Sequence, residues 1–111
     1  PLCGDRISVE VEVQGERLQK VAFEGGGCAI STASASLMTE AVAGMTQGEI
    51  AELFDQFRKA VTGDPAADPE PLGKLAVLCG VKDFPMRVKC ATLAWHTLLA
   101  AIAGGGRVST E

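Results

Sequence analysis

Tyrosine is absent from the chain, tryptophan and histidine occur once each, and aromatic residues make up only 5%. Binding of single-stranded nucleic acid relies on exposed aromatic faces for base stacking, so no such platform is available here. Basic residues are also short: 10 Lys and Arg stand against 14 Asp and Glu, for a net charge of −4. Phosphate binding calls for a clustered surplus of Lys and Arg, so nucleic acid is not the expected partner. No apolar run approaches the ~18 residues that cross a bilayer, and no membrane role is expected. The first residues lack the basic and then apolar profile of an export signal. No initiator Met precedes Pro1, and the expectation is that an upstream segment has been trimmed away. Four cysteines without an export signal are expected to stay reduced in the cytoplasm, where thiols serve metal binding or sulfur chemistry more often than disulfides. No Cys-x-x-Cys pair occurs, which excludes a compact zinc finger. Gly25 to Gly27 are followed by neither Lys-Ser/Thr nor dinucleotide spacing, which argues against a phosphate cradle.

What is present is globular. Hydrophobic residues reach 47% and charged residues 22% of 111, a composition and length for one domain spanning residues 1–111. A core of this size is modest, and a bound metal would add useful stability. Ile7, Val9, Val11 and Val13 alternate with Ser8, Glu10 and Glu12, which predicts a half-buried strand. Gln14-Gly15-Glu16 supplies a turn into a second strand reaching Phe23, an antiparallel hairpin. The glycines then allow a tight bend, and a short third strand is expected to open at Cys28. Helices are expected from Ser31 to Val42, with Ser31 or Thr32 as cap and Gly44 as stop, and from the capping box Thr46/Glu49. The second carries Ile50, Leu53, Phe54, Phe57 and Val61 on one face. The Pro- and Asp-rich stretch from Gly63 to Pro71 reads as a surface loop. A short helix is expected from Pro71 through Leu78, and a long one from Pro85 to Ala103 with Val88, Ala91, Trp95, Leu98, Leu99 and Ile102 buried. The fold class is therefore α+β: a three-stranded antiparallel sheet covered by about four helices.

Four residues carry candidate chemistry. In extended chain Cys3 and Asp5 point to the same side, with Gly4 between them adding no bulk. Cys28 sits in the glycine-rich bend, and Cys90 falls in the second turn of the last helix. Three thiolates and a carboxylate would fill a tetrahedral zinc shell. That shell is net anionic, so Arg6, Arg87 and Lys89, its neighbours in sequence, would help balance it. By spacing alone, though, ligands scattered at 3, 5, 28 and 90 fit no compact metal pattern, and cysteine is equally at home as a small buried hydrophobe.

Three motifs add to this reading. Cys3-Gly4-Asp5-Arg6-Ile7 resembles the opening motif of the IscU/SufU family; FEGGGCAISTASASL, Phe23 to Leu37, resembles its second-cysteine segment, and FPMRVKCATLAW, Phe84 to Trp95, its third. They stand in family order. Lys89 occupies the position before the third cysteine where the IscU branch has histidine, and Cys28 and Cys90 lie 62 positions apart. Both features resemble the SufU branch. The resemblance implies a SufE/NifU-like fold lacking the family's N-terminal helical segment. It also implies one zinc ion held by Cys3, Asp5, Cys28 and Cys90, with iron or a transient 2Fe–2S cluster as the alternative cargo. The implied partners are a pyridoxal-phosphate cysteine desulfurase of the SufS type and downstream cluster-assembly proteins. The implied activity is zinc-dependent sulfur transfer, with a cluster scaffold as the alternative. Cys3, near a chain end ahead of the sheet, is the candidate sulfur acceptor, and Arg87 a candidate for positioning or charge balance where the partner docks.

Other residues invite simpler readings. Cys79 follows the apolar run Leu75-Ala76-Val77-Leu78 and is expected to pack in the core. His96 lies six residues beyond Cys90, about 240° around a helix, and so does not share its face. Phe54 and Phe57 read as core, and the acidic stretch from Asp64 to Glu70 as a solvated loop.

Overall fold

The structure is a computed structural model describing residues 6–26, 28–68, 70–104 and 107–109. Two long strands, β1 (Arg6–Gln14) and β2 (Arg17–Gly26), form the expected antiparallel hairpin. Its two-residue turn pairs Gln14 with Arg17, and Gly15 takes the left-handed conformation there, φ 65°. The pairing runs to the other end, where Arg6 faces Gly26 and Ile7 faces Gly25. The register shifts between Glu12 and Val13. Such a bulge re-aims side chains, which accounts for Val13 being 48% exposed while Ile7 and Val9 are fully buried.

The expected third strand is corrected. No strand opens at Cys28; the residue instead caps α1 (Ala29–Val42), its Sγ accepting from the Ser31 N–H at 3.4 Å. The helix therefore begins ahead of Ser31 and Thr32, and neither is its cap. A thiol at the N-cap satisfies one of the donors a helix start leaves open, and the Ala/Ser-rich sequence after it suits a helix better than a strand. The sheet is in substance the two-stranded hairpin. A three-residue piece, β3 (Arg107–Ser109), lies against the free side of β1, with Val108 opposite Val9.

Helix α2 (Gln47–Thr62) starts at Thr46 with both halves of the capping box formed, and its Ile50, Leu53, Phe54, Phe57 and Val61 are buried as the period demands. The backbone N–H of Thr46 holds the Glu49 carboxyl below the ordinary carboxylate range, with the Thr46 hydroxyl and Arg17 acting in the same direction. The segment expected as a short helix is longer: a 3₁₀ stretch from Glu70 to Asp83, interrupted at Gly73. Helix α3 (Pro85–Gly104) closes the fold, packing on β1, α1 and α2. Within its expected stripe Ala91, Trp95 and Leu98 are fully buried, whereas Val88, Leu99 and Ile102 are half-buried. Trp95 is the centre of the core, stacked on Phe57 at 5.2 Å and on Phe54 at 5.6 Å between ring centroids. No described helix is long and apolar enough to cross a membrane.

Candidate functional site

Hairpin register and one side-chain bond link the elements that carry the sequence motifs. Residue 6 follows directly on Cys3-Gly4-Asp5, and its partner Gly26 stands two positions before Cys28. The first and second cysteine motifs are thus joined through the open end of the hairpin. Cys28 is half-buried at the start of α1. Two turns on, the buried Ser34 hydroxyl donates to the carbonyl of Ala91, the residue after Cys90. That bond ties α1, which Cys28 caps, to α3, which carries the buried Cys90.

Of the four expected ligands, Cys28 and Cys90 therefore sit on the two clamped helices, whereas Cys3 and Asp5 lie outside the described residues. Among the described residues no group of three Cys, His, Asp or Glu side chains is arranged to hold a metal. Two observations nonetheless fit a soft divalent ion here. The described donors are thiols, the ligand type zinc favours. And Ser31, in the first turn above Cys28, is fully buried with its hydroxyl oxygen lacking a hydrogen-bond partner among the described residues. A buried polar atom without a partner is rare and calls for a cause.

Three cations stand next in sequence to the candidate ligands or within three residues of them. Arg6, Arg87 and Lys89 are all solvent-exposed. The Arg87 guanidinium lies over the Phe84 ring, 4.7 Å from its centroid. Phe84 and Met86 are each about half exposed, at 49% and 50%, so a cation and two apolar side chains stand on the surface within six residues of Cys90. Cys79 is half-buried against the core. His96 is exposed and meets Phe54 edge-on, ring centroids 5.1 Å apart; the helical spacing from Cys90 predicted this separation.

Sequence reasoning placed Ser31 only as a helix cap and did not single out Ser34. The signal available was serine at i and i+3 among alanines, a polar pair on the face that a small-residue helix turns inward.

The open end of the hairpin depends on Gly25. Its φ is 94°, and a Cβ there would run into the Arg6 carbonyl oxygen. Gly15 also has positive φ but open space around it. Gly25→Ala is accordingly expected to lose about 1–3 kcal/mol from backbone strain alone, plus the displacement of Arg6, and more than Gly15→Ala. Urea midpoints of the two variants check this; equal losses would mean that the approach to Arg6 imposes no constraint.

The sequence matches the NifU-like N terminal domain over residues 1–91, and the chain belongs to that family. It is 45% identical over 92% of its length to the iron–sulfur cluster assembly scaffold protein IscU of Streptococcus pyogenes. It is 40% identical over 93% of its length to the zinc-dependent sulfurtransferase SufU of Bacillus subtilis. It spans 64% of the streptococcal protein and 70% of the Bacillus one. The fold superimposes with a TM-score of 0.82 on the crystal structure of a proposed cluster assembly scaffold protein for the SUF system from Fervidobacterium islandicum. That structure is 38% identical to this chain, and the match covers 87% of this chain and 71% of that one.

Proposed function

We propose that this chain is a zinc-dependent sulfur-transfer protein of iron–sulfur cluster assembly, with Cys3, Asp5, Cys28 and Cys90 as metal ligands and Cys3 as the sulfur acceptor. The observation that supports it most is the pairing of Arg6 with Gly26, which joins the chain leaving Cys3-Gly4-Asp5 to the chain entering Cys28. The 40% identity to a zinc-dependent sulfurtransferase supports the same reading, as does Lys89, which stands at the position before the third cysteine where the IscU branch has histidine.

Zinc, when bound, supplies positive charge that favours thiolate over thiol at neutral pH. The chain's own residues do the rest. The Cys3 thiolate attacks the outer sulfur of a persulfide on a cysteine desulfurase. A sulfur–sulfur bond forms to Cys3, the partner's sulfur–sulfur bond breaks, and its cysteine leaves as thiolate. Cys28 and Cys90 are held by a helix cap and a packed helix and stay in place. Exposed Arg87, with Phe84 beneath it and Met86 beside it, gives the partner a cationic and apolar contact beside the site.

The test is zinc content measured together with desulfurase turnover. About one zinc per chain and faster turnover on adding this protein are expected; a metal-free protein that leaves turnover unchanged overturns the reading. The second reading is a scaffold for a 2Fe–2S cluster on the same ligands, favoured by the 45% identity to a scaffold protein. A lasting visible chromophore after iron and sulfide are supplied would select it.

A further inference from the structure

The Ser31 hydroxyl has no role in the fold that accounts for it. Ser31 is fully buried, and its oxygen lacks a hydrogen-bond partner among the described residues. Its turn-mate on the same face, Ser34, has one in the Ala91 carbonyl, so this face is not short of acceptors in general. A desolvated hydroxyl left without a partner destabilises a fold, and alanine at this position of a helix would avoid the cost while raising helix propensity. The backbone N–H of the same residue already points at the Cys28 sulfur, 3.4 Å away. The hydroxyl oxygen is three bonds from that nitrogen, on the one residue whose N–H faces the Cys28 sulfur through the helix cap.

We propose that Ser31 is a positioning residue of the metal site, whose hydroxyl donates a hydrogen bond to the Cys28 sulfur once that sulfur is a metal-bound thiolate. The inference rests on the metal-site reading above. A thiolate is a stronger acceptor than a thiol, because charge-assisted hydrogen bonds are roughly twice as strong as neutral ones. The bond is therefore favoured when the Cys28 sulfur is a metal-bound thiolate. Two donors from one residue, N–H and O–H, would then fix the direction of the Cys28 sulfur, and part of its charge would be drawn away from the metal. Hydrogen bonds around a ligand commonly tune affinity by about tenfold to a hundredfold. The inverted dependence sets this apart from a packing role: the hydroxyl costs stability without metal and adds affinity with it.

The experiment compares wild type with Ser31→Ala in three readouts. Apo protein, stripped by chelator under reducing conditions, is followed by thermal unfolding. Zinc affinity is measured by competition with a chromophoric chelator. Cobalt(II)-loaded protein is followed through its sulfur-to-metal charge-transfer absorption. Expected are an apo melting temperature for Ser31→Ala equal to or above wild type, zinc binding weaker by about tenfold to a hundredfold, and a cobalt charge-transfer band moved to lower energy as the thiolate loses its donor. Equal zinc affinity and an unmoved cobalt band would overturn the role of Ser31 while leaving the metal site standing. An apo melting temperature below wild type would overturn it too, by revealing a structural hydroxyl. Wild type that binds neither zinc nor cobalt would sink the metal-site reading first, and this inference with it.

Discussion

Under the proposed reading, Cys3→Ser is expected to fold normally and to abolish persulfide acceptance. Serine is close to isosteric with cysteine, so the core around Ile7, Val9 and Trp95 is expected to keep its contacts. A hydroxyl at neutral pH is neither a comparable nucleophile nor a thiolate ligand, and only a thiolate can take over the outer sulfur of a persulfide. The effect should therefore be a loss to background and not a graded decline. Labelled sulfur transferred from a desulfurase, read by mass spectrometry on the intact chain, checks it, with circular dichroism as the control for folding. A folded Cys3→Ser chain that still takes up sulfur at the wild-type rate would remove Cys3 from its role and bring Cys90 forward.

The largest effect on stability is expected at Trp95. It is fully buried and its indole stacks on both Phe54 and Phe57, so alanine would leave a cavity where α3 meets α2. Large aromatic-to-alanine changes in cores cost about 3–5 kcal/mol, a large share of the roughly 5–15 kcal/mol that holds a typical domain together. Trp95→Phe should be far milder. It keeps an aromatic ring in place and removes an indole N–H that is buried without a hydrogen-bond partner among the described residues. Urea unfolding of the apo variants measures both. A Trp95→Ala loss below about 1 kcal/mol would show that the aromatic stack is not the keystone its burial implies.

The contrast between legible and hidden features has a physical pattern. Short-range rules carried far: the alternation from Ile7, the turn at Gly15, the capping box Thr46/Glu49 and the 3.6-residue face ending at Val61 all depend on neighbours within a few residues. The 3₁₀ stretch through Leu75 and Leu78 did not read so clearly, because its buried leucines serve a helix of either pitch. The third strand failed at Cys28 for a related reason. Three glycines announce a bend but leave open whether strand or helix comes next, and a cysteine is a rarer cap than the serine and threonine just beyond it. Of the candidate site, the separation of His96 and the packing of Cys79 came from helical angle and local hydrophobicity. The clamp between Ser34 and Ala91 links residues 57 positions apart, a distance over which no local pattern speaks. The structure carries Cys28 and Cys90 on the two helices that this clamp joins, while Cys3 and Asp5 fall outside the described residues.

The hairpin gives the molecule a ruler. Its ladder runs unbroken in order from the turn at residues 15 and 16 to the pair formed by Arg6 and Gly26, apart from the single adjustment beside Val13. Each step along a strand is about 3.4 Å, and successive side chains alternate sides. A one-residue error made at the turn would therefore arrive at the opposite end undiminished, offsetting the chain that leads from Cys3 against the chain that leads into Cys28. Under the proposed reading, residues at the far end of the hairpin thereby set the spacing of the two cysteine motifs, and tolerance to insertion at this turn should be far lower than its exposure on the surface suggests.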